Sequence, residues 1–185
     1  MKKYQIIYAD PPWQFRNYSD KWHEKHDESR WVGKHYPIMT LDDICRLPIG
    51  DIAGNDCCLF IWSTSPTLKY ALKVIEAWGF TYKTKAFSWV KTNPKSGGYF
   101  TGMGFWTRAN TEDCLLATTG HPKRIDRGVR QLVVSSRLSH SEKPPEISER
   151  IVQLMGDIPR IELFARKKVD GWDCWGNEVE SDIEL

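Results

Sequence analysis

The stretch of the sequence that decides the fold is YQIIYADPPW, residues 4–13. Its first six residues, Tyr4–Ala9, are mostly apolar, which is typical of a β-strand buried on both faces of a sheet. Pro11 and Pro12 cannot donate to a sheet ladder, so the chain leaves the sheet abruptly at Asp10. Ligands bind outside the carboxyl ends of strands in a parallel α/β sheet, which makes Asp10 the first candidate functional residue.

The remainder of the sequence alternates between predicted strands and helices. Further apolar runs predict strands at residues 57–64, 85–90, 114–118 and 160–165. Helices are predicted after Thr40, Pro66 and Pro144, where a capping residue or a proline precedes apolar positions at helical spacing. Gly79 closes the second of these helices. This alternation predicts an α/β fold with a mostly parallel sheet flanked by helices.

The length of 185 residues fits one domain, which we expect to span residues 1–185. Residues 14–36 are polar, aromatic and aperiodic, which predicts either a lid loop over a functional site or a disordered segment. Residues 178–185 form an acidic tail.

The composition excludes several classes of protein. No apolar run reaches the eighteen residues that a transmembrane helix needs, and the apolar stretch at the N-terminus is too short for a signal peptide. The five cysteines are odd in number and include no CxxC pair, which favours a reducing cytoplasm over a disulfide framework or a zinc site. His23 and His26 have a metal-like spacing, but no third ligand follows closely, so no metal site is predicted.

The chemistry of Asp10-Pro11-Pro12-Trp13 suits the exocyclic amino group of adenine. The lone pair of that nitrogen is delocalised into the ring, so the nitrogen attacks poorly. The Asp10 carboxylate and the Pro11 carbonyl would each accept one N–H and favour a tetrahedral, nucleophilic nitrogen, while Trp13 would stack on the base. As a tetrapeptide alone, however, the motif is equally consistent with a plain turn.

Further motifs follow this one in a defined order. They are LFIWST at 59–64, AWGF at 77–80, WVKTN at 89–93, FWTRANTEDCLLAT at 105–118, SHSEKPPEISERIVQL at 139–154 and RIELFARKKVDGWDCWGNE at 160–178. Over nearly the whole chain, the set resembles the adenosine N(6)-methyltransferase family whose founding member is the seventy-kilodalton subunit of the mRNA methyltransferase. That family also contains bacterial and phage DNA methyltransferases.

The resemblance implies a Rossmann-like class I methyltransferase that uses S-adenosyl-L-methionine to methylate the 6-amino nitrogen of adenine. Because the strand RIELFA lies after the catalytic strand, the motif order resembles the permuted arrangement of beta-class amino-methyltransferases. The compact chain favours DNA over RNA as the nucleic-acid partner, by analogy alone. RNA methylation and a catalytically silent nucleic-acid-binding subunit are the alternatives, and an oligomer is possible under each.

The same resemblance implies a set of residues that bind the cofactor. Lys143 aligns with a lysine that contacts the methionyl carboxylate, Arg166 with a cofactor-binding arginine, and Asn177 with an asparagine near the ribose. Glu178 would accept hydrogen bonds from the ribose hydroxyls. The predicted cofactor set is Asp10, Lys143, Glu162, Phe164, Arg166, Asn177 and Glu178. No GxGxxG follows RIELFA, so residues 166–176 are expected to build the cofactor loop.

The predicted contacts to the substrate lie elsewhere in the sequence. Trp106, in a glycine-rich loop, is a candidate for stacking on a base, and Glu112 is assigned to the substrate site. Residues 123–137, the basic segment, are predicted to hold phosphates around a flipped adenine together with the lid. The side chains chosen there are Lys123, Arg124, Arg127 and Arg130. A solvated basic loop is the alternative interpretation of this segment.

Overall fold

The computed structural model describes residues 2–13, 39–104, 106–137 and 142–185. The strands among these residues are β1 Tyr4–Ala9, β2 Ala53–Ser63, β3 Thr81–Thr92, β4 Thr111–Thr119, β5 Leu132–Ser136, β6 Arg160–Leu163 and β7 Asp173–Trp175. The helices are α1 Leu41–Arg46, α2 Ile49–Ile52, α3 Leu68–Ala77 and α4 Glu146–Met155, with a 3-10 turn at Ser65–Thr67 before α3.

The strands of the described residues form one seven-stranded sheet in the order β5-β3-β4-β2-β1-β6-β7. Parallel pairs join β1 to β2, β1 to β6, β6 to β7 and β3 to β5. β4 is antiparallel to both of its neighbours, β2 and β3. All the strands except β4 therefore end at the same edge of the sheet, which we call the carboxyl edge. β4 begins at that edge and ends at the opposite one, the amino edge.

The sheet is covered on both faces, and β1 shows how. Ile7 and Ala9 lie in a buried cluster on the face that α1, α2 and α3 cover. Ile6 and Tyr8 lie in a second cluster, to which α4 contributes Ile147 and other residues. A strand buried on both faces has no polar side to present, which is why its sequence is a nearly continuous apolar run.

The predicted ends of the helices are confirmed. The Thr40 hydroxyl caps α1 by accepting a hydrogen bond of 3.2 Å from the Asp43 N–H. Gly79 follows α3 with a φ of +82°, a conformation that glycine adopts without steric cost. Pro145 precedes α4, whose apolar stripe includes the buried Ile147 and Ile151.

The predicted strands are also confirmed, with changes in their bounds. β2, β3 and β4 are longer than predicted, and β6 ends at Leu163 rather than at residue 165. Sequence analysis missed β5, which lies inside the basic segment, and β7, which lies inside the expected cofactor loop. The fold is a mixed α/β architecture, with helices on both faces of the sheet.

Two further predicted segments are the lid and the acidic tail, of which the structure describes only the tail. The predicted lid, residues 14–36, lies outside the described residues. In the acidic tail, Asp182 accepts a hydrogen bond of 2.9 Å from the Cys174 N–H, so this carboxylate ties the tail to β7. None of the described helices combines the length and apolar character that crossing a membrane takes.

Candidate active site

The carboxyl edge gathers side chains from distant parts of the sequence. Asp10 follows β1, Phe164 and Arg166 follow β6, and Asn177 follows β7. Glu112 joins them although it stands near the start of its strand, because β4 is antiparallel and begins at this edge. The direction of β4 therefore decides which of its ends contributes to the site.

Four ionisable side chains form a chain of alternating charges at this edge. Lys143 Nζ donates to Asp10 Oδ2 at 2.6 Å and lies 3.4 Å from Glu112 Oε2. The other oxygen of Glu112 forms an ion pair with Lys91. The order of the chain is thus Asp10, Lys143, Glu112, Lys91. A buried charge is costly unless it is paired, and here each charge has at least one partner of opposite sign.

The shifted pKa values at the site follow from burial and from these partners. Burial raises the pKa of Asp10, and the ammonium of Lys143 opposes that shift. Burial also acts to raise the pKa of Glu112, but Lys143 and Lys91 together hold it below its usual value. The pKa of Lys143 is raised, because Asp10 and Glu112 outweigh the burial that acts to lower it.

Glu162 is a further carboxyl with a shifted pKa near this edge. Burial raises the pKa of Glu162 to about 7, and repulsion from Asp10 adds to the shift. Near neutral pH, Glu162 therefore changes charge, whereas the ion pair with Lys143 favours the ionised form of Asp10.

A series of aromatic side chains fixes the geometry behind Asp10. Trp13 Nε1 donates to the Trp62 carbonyl at 3.1 Å, and Trp62 Nε1 donates to the Tyr8 hydroxyl at 2.7 Å. The Trp13 N–H donates to the Pro11 carbonyl at 2.8 Å, which uses one of the two lone pairs of that oxygen. Trp62 is 1% exposed, as expected of a core residue. The position of the Trp13 ring is therefore fixed by the backbone of β2.

Two cavities meet at Asp10. The smaller one, of about 230 Å³, is lined by residues 10–13 together with Trp62, Thr64 and the end of β7. The larger one, of about 750 Å³, lies between the start of α4 and the loop after β6. Both cavities are lined by Asp10, Lys143, Phe164, Arg166 and Glu178. Two small-molecule groups placed in these cavities would therefore meet beside the Asp10 carboxylate.

The predicted cofactor residues all line one cavity or both. Asn177 lines the smaller cavity, and Glu162 lines the larger one. Arg166 Nε lies 3.5 Å from Glu178 Oε1, so the two side chains that face both cavities are themselves paired. The structure thus brings the predicted cofactor set together at one edge of the sheet.

The expected cofactor loop, residues 166–176, and the residues just before it have unusual backbone geometry at two positions. Phe164 has a φ of +61° and is the one non-glycine residue with positive φ among those described. For a bulky residue this conformation is strained, and such strain concentrates at ligand sites. A Cβ on Gly176 would lie 2.3 Å from the Ala165 carbonyl oxygen, so only glycine allows these two segments to approach so closely.

The predicted substrate residues separate into three groups. Glu112 lies at the site, where it lines the smaller cavity. Trp106 lies in the loop between β3 and β4, which is at the carboxyl edge, and its side chain is 99% exposed. Four cations of the basic segment lie elsewhere, at the amino edge. They are Lys123, Arg124, Arg127 and Arg130.

The placement of these four cations around a flipped adenine is therefore corrected. β4 ends at the amino edge and β5 begins there, so the connection between them lies on the side of the sheet away from Asp10. The His121 N–H donates to Asp56 at 2.7 Å, near the start of β2, and the Ile125 N–H donates to the Leu154 carbonyl at 2.8 Å, near the end of α4. Both contacts tie the connection to the amino edge.

Sequence analysis missed several residues of the site. Lys91 was included only as part of the WVKTN run, although a lysine directly after the apolar residues Trp89 and Val90 is itself a signal, because a partly buried charge needs a partner. Tyr8, Ser63 and Thr64 carried no signal of this kind. In the described part of the chain, no group of three His, Cys, Asp or Glu side chains is placed to hold a metal ion, and His23 and His26 lie outside that part.

Comparison with known proteins identifies relatives over nearly the whole chain. The MT-A70 family matches residues 4–178. The type II methyltransferase M.MunI of Mycoplasma sp is 36% identical over 100% of this chain and 82% of its own length. The N(6)-adenosine-methyltransferase subunit METTL3 of Danio rerio is 30% identical, and the catalytic subunit METTL3 of Homo sapiens is 29% identical. The chain spans 28% of the length of each METTL3 protein.

Proposed function

This chain is a methyltransferase of the MT-A70 family, and we propose that it methylates the 6-amino nitrogen of adenine in DNA with S-adenosyl-L-methionine as donor. The observation that carries the proposal is the position of Asp10, which stands where two cavities meet. A transfer between two bound molecules needs such a junction, because the reacting atoms have to be held in contact.

The acceptor side of the reaction depends on Asp10 and Pro11. Lys143 occupies Oδ2 of Asp10, and a carboxylate has further lone pairs with which to accept one N–H of the adenine amino group. The second lone pair of the Pro11 carbonyl would accept the other N–H. These two acceptors are fixed before the base arrives, and preorganised polar groups of this kind lower the barrier most effectively. Trp13, held by the Trp62 carbonyl, would stack on the base.

The donor side depends on residues around Asp10 that line one or both of the cavities. When bound, S-adenosyl-L-methionine supplies an electrophilic methyl group on a sulfonium that leaves as a neutral thioether. Lys143 would pair with the methionyl carboxylate, and Arg166 would add a second positive charge nearby. Asn177 and Glu178, after β7, would hold the ribose hydroxyls. Glu162 and Phe164 would line the remaining wall of the donor site.

We further propose that the fold is the Rossmann-like class I methyltransferase fold in a permuted, beta-class-like order. Support comes from the run of parallel strands β2, β1, β6 and β7, and from a catalytic strand that precedes the donor strand in the sequence. The single antiparallel strand β4 lies next to β2, on the acceptor side.

DNA is favoured over RNA as the acceptor by the pattern of relatives. The Mycoplasma methyltransferase is matched over 82% of its length, whereas the N(6)-adenosine-methyltransferases are matched over 28% of theirs. The intact Asp10 argues against a catalytically silent subunit. An adenine inside a duplex would be extruded into the smaller cavity, since its amino group is inaccessible in the stack.

The nucleic acid would then lie along the carboxyl edge. Trp106 is exposed there, and the cations at the same edge include Lys95 and Arg108 in the loop between β3 and β4 and Arg137 after β5. Phosphate contacts from such cations fix the register of the duplex without selecting its sequence.

The test is methyl transfer to DNA and RNA oligomers of matched sequence, with nucleoside analysis by mass spectrometry. We expect N6-methyldeoxyadenosine in the DNA and little methylation of the RNA. Methylated RNA with unmodified DNA would favour the RNA alternative. A methyl group on cytosine, or none on either oligomer, would contradict the proposal.

A further inference from the structure

Lys91 lies at the far end of the charge chain from Asp10 and lines neither cavity. Its side chain is 17% exposed, and that of its partner Glu112 is 15% exposed. The ammonium also lies 4.8 Å from the centroid of the Trp89 ring, a favourable position for a cation. Lys91 is thus half-buried, and the carboxylate and the ring face together offset the cost of placing its charge there.

The backbone holds Lys91 on both sides. Its N–H donates to the Asn110 carbonyl at 2.9 Å, and its carbonyl accepts from the Phe100 N–H at 2.8 Å. Asn110 and Glu112 belong to the same short segment at the start of β4, so Lys91 is fixed relative to the carboxylate that it pairs with. Neither partner needs to move to maintain the ion pair.

The distances between the four charged side chains show which carboxylate each lysine lies closest to. Lys143 is 2.6 Å from Asp10 but 3.4 Å from Glu112, so its closer contact is with Asp10. Glu112 tolerates this longer contact because Lys91 pairs with its other oxygen. Without Lys91, the described partners of Glu112 would be reduced to Lys143, and the two carboxylates would compete for a single ammonium.

We propose that Lys91 is a positioning residue for methyl transfer, which holds Glu112 so that Lys143 remains on Asp10 and Asp10 remains an ionised acceptor. The inference rests on the role of Asp10 proposed above. Lys91 acts through Glu112 and Lys143 and touches neither the base nor the donor.

Loss of Lys91 and loss of the Glu112 charge are expected to shift the pKa of Asp10 in opposite directions. In the part of the chain that the structure describes, the titratable groups that act on or respond to Asp10 are Lys143, Glu112, Arg166, Glu162, Tyr8 and Cys114. Lys143 lowers the pKa of Asp10, and Glu112 raises it. Loss of Lys91 draws Lys143 toward Glu112, so the pKa of Asp10 rises. Loss of the Glu112 charge has the opposite effect, because it removes both the repulsion and the competition for Lys143.

The test uses five variants and two readouts. The variants are Lys91→Met, Lys91→Arg, Glu112→Gln, the Lys91→Met/Glu112→Gln double variant and Lys85→Met. The first readout is the titration of the Asp10 carboxyl by ¹³C NMR, with its signal assigned by its disappearance in Asp10→Asn. The second is the pH dependence of kcat. Lys85→Met is a matched control, since Lys85 pairs with Asp113 across the same two strands, at 2.8 Å, outside both cavities.

We expect Lys91→Met to move the Asp10 titration and the acid limb of kcat to higher pH by about half a unit or more, the size expected when a nearby charge is disturbed. Glu112→Gln should move both to lower pH, and Lys91→Met should add nothing in that background, because Lys91 acts through Glu112. Lys91→Arg and Lys85→Met should resemble the wild type.

Three results would overturn the inference: no shift in Lys91→Met, a uniform loss of kcat at every pH, or the same upward shift in the double variant. If Lys91→Met does not fold, an unchanged Asp10 titration in Glu112→Gln overturns it equally. The NMR titration needs no methyl transfer. An inactive wild type with the expected shifts would therefore contradict the proposed function and leave the charge chain intact.

Discussion

Lys143 and Asn177 both belong to the proposed donor site, but their surroundings predict different kinetic effects. Lys143 contacts Asp10 directly, whereas Asn177 lies after β7 and has no described contact with Asp10. We expect Lys143→Ala to weaken S-adenosyl-L-methionine binding about tenfold or more and also to lower kcat. Asn177→Ala should weaken binding while kcat at saturation changes little, because its interaction with the donor is the same in the ground and transition states.

Isothermal titration calorimetry measures the binding part of this prediction. Lys168→Ala is the control, since Lys168 is an exposed lysine that pairs with Asp182 at 3.1 Å and lines neither cavity. Unchanged affinity in both Lys143→Ala and Asn177→Ala would remove these residues from the donor site.

Glu162 gives a prediction about stability. Burial and Asp10 raise its pKa from its ordinary value of 4.5 to about 7. Between these pH values, the folded state therefore keeps a proton that the unfolded state has released. The free energy of unfolding should therefore fall as pH rises from about 4.5 to 7, by on the order of 1–3 kcal/mol. Urea unfolding of the wild type and Glu162→Gln at pH 5 and pH 8 tests this. The wild type should lose stability relative to the variant at pH 8, and a constant difference between them would refute the assignment.

At the scale of single residues, sequence reasoning identified those that carry a recognisable motif. Asp10 has a local signature because it follows an apolar strand, whereas Lys143 was identified only through the family resemblance of SEKPPE. Lys91 has none beyond its unusual charge, because its partner Glu112 lies 21 residues away and the pairing exists only once β3 and β4 are adjacent. A contact of that kind is a property of the sheet, not of either strand.

Among the elements, β4 has the largest consequence for the site. Its apolar pattern predicts a strand but carries no information about direction, since a strand covered on both faces is a nearly continuous apolar run whichever way it runs. Its reversal brings Glu112 to the carboxyl edge and sends the four cations that follow it to the amino edge. The sequence does not determine the direction of β4, and for this reason sequence analysis placed the four cations beside the site and not at the amino edge.

This difference between the two edges predicts which cations bind nucleic acid. Replacing Lys95, Arg108 and Arg137 with glutamine should flatten the slope of log affinity against log salt, by about one unit for each phosphate that the protein no longer neutralises. The matched control replaces Arg124, Arg127 and Arg130, which carry the same number of charges at the amino edge. Binding to a DNA duplex over a range of salt concentrations measures both slopes. A flatter slope in the control and an unchanged slope in the first variant would restore the original placement of the basic segment.

The two missed strands have a simple physical explanation. β7 has three residues, too few for a period to be recognised, and it is held by pairing with β6. β5 has five residues, of which Leu132 and Val134 are exposed, and it follows a run of cations typical of a loop. In both cases the strand exists because a neighbouring strand offers hydrogen-bond partners, which outweighs a weak local preference.

At the scale of the whole molecule, the sheet works as a scaffold that concentrates charge at one edge. Buried clusters on both faces fix the strands, and the loops at the carboxyl edge carry the side chains that line both cavities. Asp10, Phe164 and Asn177 stand within two residues of a strand end, so the rigid sheet fixes their positions, which suits a reaction that depends mainly on position. At the centre of this arrangement, we propose, the Asp10 carboxylate activates the adenine amino group for methyl transfer.

The most direct test of that claim is the rate of adenine N6 methylation by Asp10→Ala at saturating S-adenosyl-L-methionine, with nucleosides identified by mass spectrometry. Because the variant lacks one preorganised acceptor, we expect the rate to fall by about a hundredfold or more while the fold and most of the donor affinity remain. Turnover within about threefold of the wild type, on the same adenine nitrogen, would contradict the account.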